Sequence, residues 1–288
     1  MARKPSLDPS LYANTSGAVD ALLMRQMAQQ DITPVPTSTA LPHMALIVGP
    51  SPFTMPRGWE FFLTSPYEGV TYIATVLHNA GYPVRIIDVR YEAQPLEAAW
   101  KQLAQARVDV IGVATFEDNF PWVCEFMEGA RRRHPDAAII AGGSLVTSVP
   151  QAFFDHSVVD VAVLSEGELT ILELMDSYAR GAWRRELSQI RGIAYRGPEG
   201  KMVRTLPRGQ MPDLDSLPRM RLDLWPQARG PGGLQPQIIA SYSRGCKMDC
   251  SFCYRTTPQV RAKSPAIFER DMKWLKEQYG VEFIFFSD

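Results

Sequence analysis

The sequence lacks most of the features that mark secreted, membrane-spanning or nucleic-acid-binding chains. It has four cysteines in 288 residues, and three of them crowd into the stretch Cys246 to Cys253. A disulfide framework spreads its cysteines and needs an oxidising compartment, so this usage points to reducing surroundings, with the cytoplasm as the default. Long apolar runs are missing. Stretches such as Met44 to Val48 and Ala137 to Ala141 fall far short of the roughly 20 residues a membrane helix needs. Arg3 and Lys4 have no apolar segment behind them, so the N-terminus does not read as a secretory signal. There is no surplus of one charge: 30 basic residues face 31 acidic ones, net −1. No global field therefore draws the chain to nucleic acid or anionic lipid. The one basic run, Arg131-Arg132-Arg133, closes a predicted helix, where cations are favoured, and reads as a solvated cap. No internal repeat is visible.

What is present is a regular alternation. After an extension with a short predicted helix at Val19 to Gln29 and a linker rich in Pro and Thr to about residue 40, apolar runs of strand type appear at 44–49, 84–88, 108–114, 137–141 and 159–164. Between them, apolar positions recur at helical spacing: Val70, Ile73, Ala74 and Leu77; Leu96 to Ala106; Val123, Phe126, Met127 and Ala130; Ile171, Leu174, Met175 and Tyr178. Strand and helix in this order predict an α/β domain over 41–181, a doubly wound, Rossmann- or flavodoxin-like parallel sheet with helices on both faces. After 181 the rhythm breaks. Residues 190–196 and 201–205 flank Gly197-Pro198-Glu199-Gly200 as a hairpin, and a proline-dense connector runs to 235. From 236, a strand (Gln237 to Ser241) leads into the cysteines. A helix capped by Ser264 with Pro265 at its first position follows, then a strand at Val281 to Phe286.

The cysteines stand in Arg244-Gly245-Cys246-Lys247-Met248-Asp249-Cys250-Ser251-Phe252-Cys253-Tyr254. Three thiolates on one tight loop can ligate an iron–sulfur cluster. Three ligands for four irons leave one iron open, and an open metal position is where a substrate or cofactor binds. A closed structural zinc site wants a fourth ligand. The remaining candidates, Cys124, His134 and His156, lie in the preceding domain.

This CxxxCxxC pattern, with the aromatic Phe252 before its third cysteine, resembles the signature of the radical S-adenosylmethionine (SAM) superfamily. The resemblance implies a [4Fe–4S] cluster on Cys246, Cys250 and Cys253, with SAM chelating the open iron and Phe252 beside the cofactor. It also implies one-electron cleavage of SAM to a 5′-deoxyadenosyl radical, and a low-potential reductant such as flavodoxin or ferredoxin. Residues 236–288 would then be the first units of a (β/α) radical SAM barrel, whose active site sits at the carboxyl ends of its strands.

The loops that end the upstream strands are Gly49-Pro50-Ser51-Pro52, Thr115-Phe116-Glu117-Asp118, Gly142-Gly143-Ser144-Leu145-Val146-Thr147 and Ser165-Glu166-Gly167-Glu168. For any one of them plain turn chemistry suffices. Together with the cysteines, they resemble the cobalamin-binding domain of the B12-binding radical SAM enzymes. By that resemblance Gly142, Gly143, Ser144 and Thr147 line the corrinoid's nucleotide tail, with Thr115, Ser165, Glu166, Gly167 and Glu168 as neighbours. Cobalamin domains commonly carry Asp-x-His-x-x-Gly after the first strand. Here Gly49 to Thr54 holds no histidine, so cobalt would lack a histidine lower ligand, and His78 and His156 read as surface or packing residues.

The expected function is a cobalamin-dependent radical SAM enzyme that methylates, cyclises or rearranges a small molecule. The competing reading is a non-catalytic corrinoid or small-ligand carrier with a zinc-stapled tail. The residues after Gln237 are too few for a complete barrel. The chain is therefore expected to be a fragment whose last strand is an unpaired edge, forming little 5′-deoxyadenosine from SAM.

Overall fold

The computed structural model describes residues 40–51, 65–226, 237–248, 250–253 and 259–287. The helix expected at Val19 to Gln29, together with Phe53, Thr54 and Tyr254, lies outside the described residues.

Five parallel strands form the centre: β1 (Met44–Val48), β2 (Val84–Asp88), β3 (Val110–Ala114), β4 (Ala138–Gly142) and β5 (Val161–Val163). Their order is β2-β1-β3-β4-β5, the flavodoxin-like order, in which the chain reverses direction between β1 and β3. The strands are apolar on both faces because both faces are covered. On one face Met44, Leu46, Val48, Val110, Ile140, Val161 and Val163 pack under α1 (Glu68–Asn79) and, after the shorter helices, α6 (Glu168–Ala179). On the other, Ala45, Ile47, Ile111, Val113, Ile139 and Ala141 pack under α2 (Pro95–Leu103) and α3 (Phe120–Arg133).

The run that ends α3 is less solvated than its charge suggests. Arg131 donates to the carbonyls of Pro135 and Ala137 and pairs with Asp160 at 2.5 Å, so one of the three arginines fastens the helix to the start of β5. Between β4 and β5 the chain makes two short helices, α4 (Ser144–Ser148) and α5 (Pro150–Asp155), where the pattern suggested only loop. After α6 and one further turn, α7 (Trp183–Glu186), the expected hairpin forms as β6 (Ile193–Arg196) and β7 (Met202–Arg204). It extends the parallel sheet, with β6 antiparallel to β5.

The proline-dense connector is well packed over its described residues, which end at 226. Met211, Leu214, Leu217, Met220, Leu222, Leu224 and Trp225 are buried in the same core as the inner faces of α1 and α6. The Trp225 indole N–H donates to Thr71 Oγ1 at 2.9 Å. The same core continues into the C-terminal unit, where β8 (Gln237–Ala240), α8 (Pro265–Tyr279) and β11 (Phe283–Phe286) make a β-α-β unit with parallel strands. Ser264 Oγ caps α8 by accepting from the Ile267 N–H, and Gly280, at φ 67°, ends it in the left-handed conformation. Between β8 and α8, β9 (Ser243–Arg244) pairs antiparallel with β10 (Arg261–Ala262), which closes the base of the cysteine loop.

Candidate functional site

Ligands of open parallel sheets bind beyond the carboxyl ends of the strands. At that position the protein has a cavity of about 960 Å3. This is near the top of the roughly 300–1,000 Å3 range of small-molecule sites, so it suits a large ligand. One wall is made by the loops after β1, β3, β4 and β5 and by the first turns of α1. The other comes from the C-terminal unit: Ile239, Ser241, Ser243, Arg244, Gly245 and Ser287.

The cavity also runs inward between sheet and helices, past Leu46, Ala114, Ile140 and Val163 on the strands and Val70, Ile73 and Ile171 on α1 and α6. Small residues give it this depth. A Cβ added at Gly142 would meet no atom within 4 Å. Its neighbour Gly143 serves a different purpose. Its φ is +126°, and a Cβ there would lie 2.3 Å from the Thr115 carbonyl oxygen, so only glycine lets the chain turn against β3.

Of the residues singled out in the sequence, Gly142, Gly143, Ser144, Thr147, Ser165, Glu166, Gly167 and Glu168 all line the cavity; Thr115 and Phe252 do not. Thr115 is fully buried and holds the turn, its Oγ1 donating to the Gly142 carbonyl at 3.1 Å. Thr147 Oγ1 donates to the Gly143 carbonyl at 2.8 Å and accepts the Ser165 N–H at 3.1 Å, which ties the β4 and β5 loops together. Ser165 is the only non-glycine residue with positive φ among those described, at 65°; such strain is common where a backbone is shaped for a ligand. Ser144 Oγ donates to Glu117 Oε2 at 3.0 Å. The β3 loop is pinned by Asn119, which accepts the Phe116 N–H at 2.9 Å and donates to the Ala114 carbonyl.

Glu166 and Glu168 are committed to protein partners. Glu168 is buried and accepts from Arg244 at 2.6 Å. Glu166 accepts from Arg261 at 2.5 and 3.1 Å and from the Met211 N–H at 2.8 Å. Burial works to raise the Glu168 carboxyl's pKa, but the Arg244 charge and hydrogen bond prevail and hold it below its ordinary value. Lys263 reaches Tyr72 Oη at 3.0 Å and Asp271 at 2.8 Å.

Among the polar cavity residues not singled out in the sequence are Glu68, Ser241 and Arg244. Ser241 Oγ donates to Glu68 Oε2 at 2.6 Å across the two walls. Burial pushes the Glu68 carboxyl's pKa up, opposed by that hydrogen bond and by the Arg244 charge. The adjacency of Arg244 to the cysteine motif was the one sequence signal that could have marked any of them.

The cysteine loop begins at the cavity wall, since Gly245 lines the cavity and Cys246 follows it. Cys246 and Cys253 are exposed, Cys250 is half-buried, and Phe252 is 90% exposed. Among the described residues, no three His, Cys, Asp or Glu side chains are gathered as a metal site. Three accessible thiols on one loop are nonetheless the donor set an iron–sulfur cluster takes, and metal binding itself orders such loops. The cavity likewise fits a corrinoid in size and in its glycine-lined floor. None of its lining residues among those described is a histidine. No helix among the described residues is long and apolar enough to cross a membrane.

Comparison with known proteins agrees with this geometry. Residues 64–175 match the B12 binding domain family. The chain is 28% identical over 256 residues to the hopanoid C-3 methylase of Methylococcus capsulatus, covering 82% of this chain and 47% of that protein. It is 25% identical over 228 residues to the anaerobic magnesium-protoporphyrin IX monomethyl ester cyclase of Rubrivivax gelatinosus, covering 77% and 41% respectively. The chain thus spans less than half the length of these relatives. Its fold matches that of the cobalamin-dependent SAM radical enzyme OxsB with a TM-score of 0.66 at 18% identity, over 86% of this chain and 34% of OxsB. The sequence expectation of an α/β chain related to the cobalamin-binding radical SAM enzymes is borne out.

Proposed function

We propose that this chain, a relative of the cobalamin-dependent radical SAM methyltransferases and cyclases, binds a corrinoid in the large cavity and a [4Fe–4S] cluster on Cys246, Cys250 and Cys253. It serves methylation, cyclisation or rearrangement of a small molecule in the cytoplasm, with an electron from a flavodoxin- or ferredoxin-like partner. The observation that carries this reading is the shared cavity. The loops after β4 and β5 form one wall, and the residues immediately before Cys246 form the other.

When bound, the cluster would supply one electron for reductive cleavage of SAM, and the corrinoid a transferable methyl group. The chain's own residues prepare the space. Gly142 leaves its floor open, Gly143 and Thr115 fix the turn beside it, and the Tyr67 and Phe116 rings, 5.1 Å apart edge to face, wall one side against water. Glu68 is a cavity-lining carboxyl that accepts from Ser241 Oγ and so joins the two walls, and burial raises its pKa.

Anaerobic reconstitution with iron, sulfide and hydroxocobalamin tests the reading. The expected result is one cobalt and four irons with matching sulfide per chain, with the iron lost in Cys250→Ala and the cobalt retained. One zinc and no sulfide would favour the carrier reading, and no cobalt on the wild-type chain would sink the corrinoid site.

A further inference from the structure

The cysteine loop is closed by a ladder of only two residue pairs, and one of these sets Arg261 directly opposite Arg244. Like charges facing each other across a strand pair repel, so this ladder needs anions to stay shut. Both anions come from the other wall of the cavity. Glu168 takes Arg244 at 2.6 Å, and Glu166 takes Arg261 at 2.5 Å while lying 3.9 Å from Arg244. The partners are 76 and 95 residues apart in sequence, so the pairing is purely tertiary. Arg261 also donates to the Met211 carbonyl at 2.5 Å, and the Met211 N–H donates back to Glu166, so the connector is fastened at the same point. The turn that carries these glutamates begins at Ser165, which is held in the left-handed region with its N–H on Thr147. One short turn therefore lines the cavity with its backbone and grips the cysteine loop with its side chains.

We propose that Glu166 and Glu168 are positioning residues that act through Arg261 and Arg244, so that a corrinoid in the cavity and a cluster on the cysteines stabilise each other. A ligand that fixes the Ser165–Glu168 turn fixes the two carboxylates, and these fix the base of the cluster loop. Coupling of this kind is reciprocal. The inference rests on the reading in the preceding section, but it concerns the pairs these two cavity-lining carboxylates make with Arg244 and Arg261 rather than their contacts with either group.

The test measures the rate at which iron passes from the reconstituted full-length chain to a chelator, with and without saturating hydroxocobalamin. Corrinoid binding is followed separately by its visible spectrum. In the wild-type chain hydroxocobalamin is expected to slow iron loss about fivefold or more. In Glu168→Gln, compared at hydroxocobalamin concentrations that its visible spectrum shows to be saturating for that variant, the slowing should fall below about twofold. Glu166→Gln, which keeps an oxygen for the Met211 N–H, should do the same and carries the test if Glu168→Gln does not fold. Equal slowing in wild type and both variants, or none in a wild-type chain that binds both groups, overturns the inference alone. Failure of the wild-type chain to bind hydroxocobalamin or iron and sulfide overturns the functional reading, and the inference with it.

Discussion

At Gly143 the backbone sits at φ +126°, with the Thr115 carbonyl oxygen 2.3 Å from where a Cβ would stand. At Gly142, one residue earlier, a Cβ would reach into open space. The pair separates folding from binding within a single dipeptide. Gly143→Ala is expected to destabilise the chain by about 1–3 kcal/mol, because left-handed strain and a backbone contact must both be relieved. Gly142→Leu should leave the thermal midpoint close to that of the wild type. It should still weaken hydroxocobalamin binding about tenfold or more, roughly 1.4 kcal/mol, by filling the floor of the cavity. Melting curves and spectral titrations of the two variants check this, and the opposite pattern would remove the cavity as the corrinoid site.

At the scale of elements, the described part of the connector, residues 205–226, shows how a segment with little regular structure can still hold the molecule together. Trp225 is fully buried, its N–H satisfied by Thr71 on α1, and the neighbouring Arg221 N–H donates to Thr75 Oγ1 on the same helix at 3.1 Å. Trp225→Ala removes a large side chain from a packed site and leaves a cavity, at an expected cost of about 3–5 kcal/mol. A urea midpoint within error of the wild type would show that the connector is not part of the core.

The parallel strands and long helices were legible in the sequence because a run such as Met44 to Val48, or a stripe such as Val123, Phe126, Met127 and Ala130, records local burial directly. Helices α4 and α5 were not. Five and six residues are too few to show a period, and Pro150 opens the second of them. The attachment of β6 to β5 was also hidden, since a hairpin's own residues specify its turn but not the edge it joins. The glycines of the site could be read from their positions at strand ends. Glu166 and Glu168 could be placed near the site but not assigned to their partners, because nothing local in Ser-Glu-Gly-Glu names an arginine so far along the chain.

At the scale of the molecule, one apolar core runs from Met44 and Leu46 on β1, through Trp225 in the connector, to Trp274, Leu275 and Val281 in the C-terminal unit. The Trp274 indole N–H donates to the Met220 carbonyl at 3.2 Å, and Ser241 and Glu68 meet across the cavity. Two units joined by a flexible linker would unfold separately. Units that share a core unfold together, and a ligand bound to one then stabilises both. Calorimetry should therefore show a single transition. Free hydroxocobalamin at 100 times its Kd should stabilise the native chain by about 2.7 kcal/mol and move the whole transition upward by roughly 4–5 °C. Two transitions, with only the earlier or the later one responding to the corrinoid, would mean that the connector does not join the halves into one cooperative body. The route from the corrinoid turn to the cysteine loop would then have to run through the Glu166 and Glu168 pairs alone.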